Sequence, residues 1–219
     1  MARRLTRAAP RPLPTAPAVP PAPAPGTVLV IACGALAREV GAVIEANGLS
    51  HLRLHCLPAI LHNHPERIPD AVEAAIRGAD GYAGVFIAYG DCGTGGRLAE
   101  VCARHGASMI AGPHCYAFFE GVERFAARDG GLAFYLTDFL ARQFDAFVWR
   151  PLGLDRHPEL RDAYFGHYEA LVHLAQTDDP ALAAMAESHA ARLGLPFERR
   201  LTGYGDLAPA LERAAQLPR

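Results

Sequence analysis

The chain has no lysine: all 21 of its basic residues are arginine, set against 23 acidic ones. A net charge of -2 leaves no excess of cation to neutralise a phosphate backbone, so nucleic-acid binding is not expected. The arginine bias is what a high-GC genome produces and carries no functional weight. Long apolar runs are also missing. None approaches the roughly 18–20 residues that cross a bilayer, and no membrane association is expected. The start of the chain lacks the apolar h-region of a signal peptide, so Arg3-Arg4 does not read as an export signal. Residues 1–26 are instead rich in alanine and proline, with Arg3, Arg4, Arg7 and Arg11. Such a segment cannot bury a core, and the expectation is a disordered, solvated tail. The expected compartment is the cytoplasm. Thiols stay reduced there, and clustered cysteines point to metal or catalysis before disulfides.

What is present is enough for one α/β domain over residues 27–219. From Thr27 onward, short apolar runs alternate with amphipathic stretches, the pattern of a parallel sheet. The chain is organised around Ala88-Tyr89-Gly90-Asp91-Cys92-Gly93-Thr94-Gly95-Gly96-Arg97. It follows the buried-strand run Val85-Phe86-Ile87-Ala88 and precedes a helix that Gly106 closes. A cysteine therefore sits at a strand end, inside a glycine-rich turn. The free N–H groups of such a turn favour an anion: phosphate, thiolate or a sulfur-rich cluster.

The arrangement recurs. Val28-Leu29-Val30-Ile31 ends in Ala32-Cys33-Gly34, Leu52-Arg53-Leu54-His55 ends in Cys56, and Ser108-Met109-Ile110-Ala111 ends in Gly112-Pro113-His114-Cys115. In a parallel sheet, strand ends share the edge where ligands bind. Cys33, Cys92 and Cys115 should then converge on one crevice. Cys102 lies on the inner face of its helix and reads as packing. Cys56 continues the alternation of Leu52 and Leu54, so it can equally be the last inward residue of its strand. The loop after Cys56 carries His62 and His64, and either imidazole could complete a tetrahedral thiolate site. His114 and Cys115 are adjacent on an extended segment and should point in opposite directions. Asp91 is a candidate either for the neighbourhood of the site or for capping the next helix. His157, His167, His173 and His189 lack ligand spacing.

Four motifs in order resemble the uncharacterised family catalogued as domain of unknown function 1638. They are Ala32-Cys33-Gly34, Leu61-His62-Asn63 with Pro65-Glu66, Tyr89 to Gly95, and Pro113-His114-Cys115. The resemblance covers roughly residues 27–175. It implies that Cys33, Cys92, Cys115 and His62 belong to the motifs, while Cys56 and Cys102 do not. It further implies a place beside corrinoid-dependent methyltransferases, with a corrinoid protein or methyltransferase as partner.

The expected fold is a three-layer α/β sandwich, a mostly parallel sheet of four or five strands with a helical C-terminal half. Residues 132–149 and 160–175 read as helices, and residues 196–201 as a fifth strand. The expected function is a metal- or iron–sulfur-binding protein with Cys33, Cys92, Cys115 and His62 as ligands. Gly93, Thr94, Gly95, Asp91 and His114 should line or support the site. Three thiolates suit zinc or a cluster with one open position. Two rivals stand beside it. One is a metal-free enzyme with Cys92 as nucleophile at a helix start. The other is a phosphate or nucleotide module built on Gly93–Gly96, although that loop lacks the P-loop lysine.

Overall fold

The computed structural model describes residues 14–128 and 132–217. The first half is a run of βα units: β1 (Val28–Cys33), α1 (Ala37–Ala46), β2 (Leu52–Leu57), α2 (Ile68–Arg77), β3 (Gly84–Ala88), α3 (Arg97–His105) and β4 (Ser108–Met109). The strands form a parallel sheet in the order β2-β1-β3-β4. All six residues of β1 are buried, as a central strand covered on both faces must be. Because parallel crossovers are right-handed, the chain reverses direction around β1 and lays helices on both faces. α2 packs on α3, while α1 packs on the last helix of the chain. The expected α/β class with parallel strands is therefore present.

The second half departs from expectation. After α4 (Cys115–Glu120) and α5 (Val122–Arg128) come β5 (Ala133–Thr137), α6 (Asp138–Phe144), α7 (Arg161–Phe165), β6 (Ala170–Ala175), α8 (Pro180–Leu193), β7 (Phe197–Leu201) and α9 (Leu207–Ala214). β5, β6 and β7 form a second parallel sheet of three strands. The C-terminal half is thus not simply helical, and the strand read at 196–201 joins this sheet and not the first. The physical reason is burial on both faces. Leu171 to Ala175 is buried without interruption, His173 included, and a run buried on both faces has no period of two to set it apart from a helix. α9 then returns to the first sheet, where Leu207, Ala210, Leu211 and Ala214 join its core.

The tail also differs. Residues 1–13 lie outside the described residues. Residues 14–26 lie along the first sheet's helices: the Tyr82 hydroxyl donates to the Pro20 carbonyl at 2.9 Å, and Ala16 and Val19 pack against the core. Proline lowers the entropy lost on ordering such a strap, which lets a few contacts hold it. Among the described residues, no helix is long and apolar enough to cross a membrane.

Cys102 is 3% exposed among core residues of the first sheet. Cys102→Ala is expected to lower stability by about 1 kcal/mol, the cost of removing a small buried group, and to leave metal content unchanged. Urea unfolding and metal analysis of the same preparation check both.

Candidate metal centre

Three segments at the carboxyl edge of the first sheet build the site. β1 ends on Cys33, and the chain turns at once through a short 3-10 segment, Gly34–Leu36. Gly34 is required there, because a Cβ would stand 2.8 Å from the Leu57 carbonyl. β3 continues through Tyr89 and Gly90 into the glycine-rich turn. A Cβ on Gly90 would stand 2.7 Å from the Gly112 carbonyl and 2.9 Å from the His114 nitrogen. That close approach draws Cys92 and Cys115 together, and the Asp91 N–H donates to Gly112 O at 3.0 Å. Cys92 itself has φ of 49°, left-handed backbone that a cysteine adopts only when its surroundings enforce it.

The turn's anion is its own. Gly96 N–H donates to Asp91 Oδ1 at 2.7 Å, Gly95 N–H to Oδ2 at 3.1 Å, and the Thr94 hydroxyl to Oδ1 at 2.8 Å. The Gly96 bond, ahead of the others, holds the Asp91 carboxyl below the usual carboxylate range. α3 begins only at Arg97, so Cys92 lies five positions before the helix and away from its N–H groups. Asp91 bonds the turn ahead of the helix, whose own N-cap, Gly96, receives no side-chain cap.

The third segment is held from the second sheet. Cys115 opens α4, whose far end carries Glu120, 4% exposed. Arg200 of β7 donates to both its oxygens at 2.8 and 3.1 Å, and Arg128 donates at 2.9 Å. Beside this, Asp206 N–H donates to the Phe118 carbonyl at 2.7 Å, and Val122 N–H donates to Asp206 Oδ2 at 2.8 Å. The short helix carrying Cys115 is thus clamped at its end by the last loop of the chain.

Cys33, Cys92, Cys115 and His62 line one small cavity, walled by Ala35, Leu36, Ile68, Tyr89 and Phe118. Its volume is about 20 Å³, room for one water-sized guest. Burial comes first among the causes that raise every thiol here. Cys92 is pushed up to about 12, with the Cys33 charge second, and Cys33 and Cys115 are raised as well. His62 borders the cavity but is itself exposed to solvent; the protein packed around its ring, with His114 adding to it, lowers it. Near neutral pH the cavity therefore holds thiols and an uncharged imidazole. Opposing burial, backbone N–H groups face the sulfurs: Ala35 toward Cys33, Gly90 and Cys115 toward Cys92, and Tyr116 toward Cys115. These donors favour thiolate once a cation is present. Among the described residues, no group of three or more His, Cys, Asp or Glu side chains stands at metal-holding distance. The donors surround a common cavity without yet closing on its centre.

The remaining candidates fall elsewhere. His114 caps α4, its Nδ1 accepting from Ala117 N–H at 3.4 Å, with its ring against Phe125 and Tyr116. His64 is half-buried, its Nδ1 3.5 Å from Glu66 Oε1. Cys56 pairs in register with Ala32, so its side chain leaves the sheet on the face opposite that of Cys33. Gly93 and Gly95 shape the turn through positive φ, and Thr94 is buried beneath it.

Two features go beyond the sequence reading, which places Tyr89 and Tyr116 at this edge only as walls of the pocket. Tyr89 lines the cavity, and its hydroxyl is buried without an ordinary hydrogen-bond partner. Its position two after Ile87, on the same buried face, was a usable signal, because a phenol there needs a partner. The other is Asp138–His173 at the carboxyl edge of the second sheet. His173 Nε2 lies 3.0 Å from Asp138 Oδ1, and Thr177 donates to Oδ2 through its N–H and its hydroxyl, at 3.0 and 2.6 Å. No spacing in the sequence marks this pair, which is 35 residues apart.

A family model described as Protein of unknown function (DUF1638) matches residues 56–211, a span that takes in His62, Cys92 and Cys115 and begins beyond Cys33. No curated protein and no solved structure matches the chain.

Proposed function

The chain belongs to the DUF1638 family of proteins of unknown function, and on that premise we propose that it is a metal–thiolate protein. Cys33, Cys92 and Cys115 are the thiolate ligands and His62 is the fourth. The observation that carries this reading is that all four line one cavity, although 82 positions separate the first from the last. A volume near 20 Å³ favours a single ion over an iron–sulfur cluster, whose several atoms would have to push the walls apart. Zinc suits three sulfurs and one nitrogen. When bound, it supplies Lewis acidity and keeps its ligands deprotonated at neutral pH. Loading draws the donors inward, and the N–H groups around the sulfurs compensate the charge that develops.

Two observations weigh against the rival readings. A thiol pushed up to about 12 is a poor nucleophile near neutrality, because the thiolate is the reactive form. The N–H groups of Gly95 and Gly96 are already taken by Asp91, which leaves little for a phosphate. The proposal keeps the wider setting implied by the family: an accessory to corrinoid-dependent methyl transfer, working beside a corrinoid protein or methyltransferase in a reducing compartment.

The test is purification under anaerobic conditions, metal analysis, and titration with Co(II), whose thiolate charge-transfer bands count the sulfurs bound. A protein that takes up neither Zn(II) nor Co(II) sinks the reading. The pH dependence is equally specific. Each thiol binds as thiolate and gives up a proton, whereas His62, its pKa lowered, is already neutral. Apparent affinity should rise with pH by up to about a thousandfold between pH 6.5 and 7.5, one factor of ten per thiolate. Competition titrations at the two values measure the slope. A slope near zero excludes thiol ligands.

A further inference from the structure

Tyr89 carries a buried hydroxyl without an ordinary hydrogen-bond partner. The residue is 1% exposed and lines the cavity shared by the three sulfurs. The polar group facing the hydroxyl is the Cys33 thiol. Apart from the sulfurs, the His62 imidazole and the Gly90 backbone, the walls (Ala35, Leu36, Ile68 and Phe118) are apolar. A phenol with no acceptor is costly to bury, and phenylalanine would fill the same space without that cost. A neutral thiol sulfur is a weak acceptor, whereas a thiolate is a strong one. The hydroxyl is therefore poorly served by a free thiol and would be well served by a metal-bound sulfur.

We propose that Tyr89 is a positioning residue for the metal centre: its hydroxyl donates to the Cys33 sulfur in the metal-bound state. This inference rests on the metal–thiolate reading above and assigns the phenol a part in it. Ala35 N–H approaches the same sulfur, so in the loaded protein Cys33 has two donors and a fixed orientation toward the ion. Hydrogen bonds from outside the ligand shell orient ligands in this way and tune the metal they hold. The position in the chain fits the task. Tyr89 follows the last residue of β3, beside β1, whose last residue is Cys33. The sheet itself thus sets the spacing between donor and acceptor.

The test uses Tyr89→Phe in the full chain, with Co(II) as probe. Three results are expected together. The metal-free variant is at least as stable as wild type in urea, because an unserved hydroxyl has been removed and the ring retained. Its Co(II) affinity is lower by about tenfold to a hundredfold, the range typical of lost outer-shell bonds. Its sulfur-to-cobalt charge-transfer band moves to lower energy, since a thiolate stripped of a donor holds its electrons less tightly. A role in packing alone would lower stability and leave the band in place. Unchanged affinity and an unchanged band in a variant whose wild type binds Co(II) overturn the role of Tyr89 and leave the metal centre standing. Failure of the wild type to bind Co(II) overturns both.

Discussion

Cys33→Ser, Cys92→Ser and Cys115→Ser are each expected to lose metal by more than about a hundredfold in affinity, a larger loss than outer-shell changes produce. Cys56→Ser and Cys102→Ala should retain it. The contrast follows from where the five sulfurs lie: three line one cavity, Cys56 leaves the opposite face of its strand, and Cys102 belongs to the core. Serine keeps the size of the side chain but is a far weaker ligand for a borderline-soft ion than thiolate. The same geometry predicts concerted protection. Bound metal should slow alkylation of Cys33, Cys92 and Cys115 together, and a chelator should release all three. A nucleophile behaves differently. If Cys92 alone reacts fast in metal-replete protein, and chelation leaves Cys33 and Cys115 unchanged, the metal reading gives way to the cysteine-enzyme reading.

The gathering of those sulfurs was legible in the sequence because each follows a short apolar run that a glycine terminates. Cys33-Gly34, Gly90-Asp91-Cys92-Gly93 and Gly112 ahead of Cys115 are places where the backbone must turn tightly or approach another chain segment. The structure gives each glycine a physical reason, from the 2.8 Å at Gly34 to the 2.7 Å at Gly90. The role of the Gly93–Gly96 turn was harder to read. The sequence displays N–H groups that favour an anion, and only the fold reveals that Asp91 is that anion. The second sheet was hidden for another reason. β6 carries His173 in the middle of an apolar run, and a histidine there looks like the wet side of a helix. It is buried because Asp138 lies 3.0 Å away, a partner supplied by a different strand end. Local pattern encodes which face of a helix or strand is dry; it does not encode which distant residue makes a polar one tolerable. Glu120 and Arg200, 80 positions apart, are the same case, and they tie the helix of Cys115 to the second sheet.

Gly205→Ala is expected to be the most damaging single substitution near the site that leaves every ligand in place. Gly205 has φ of 48°, in the left-handed region where a side chain costs about 1–2 kcal/mol. Its surroundings add much more. A Cβ there would collide with the backbone carbonyls of Phe118 and Phe119, in the helix that begins with Cys115, and would stand 2.7 Å from the Phe119 carbonyl carbon. Those are main-chain atoms beneath two fully buried rings, so neither side can yield cheaply. The expected loss is about 4 kcal/mol or more, large for one methyl group. For a chain of this size it corresponds to a fall in melting temperature of roughly 8–16 °C. Gly203→Ala is the control. Its φ is 59°, yet a Cβ there meets nothing within 4 Å, so only the backbone strain is felt and the loss should stay near 1–2 kcal/mol. The difference between the two variants isolates the collision. Variant Gly205→Ala should also bind Co(II) more weakly at temperatures where it remains folded, because relieving the collision displaces α4 and with it Cys115. Equal losses at the two glycines would mean that the last loop does not clamp α4, and that Cys115 is held by its own segment alone.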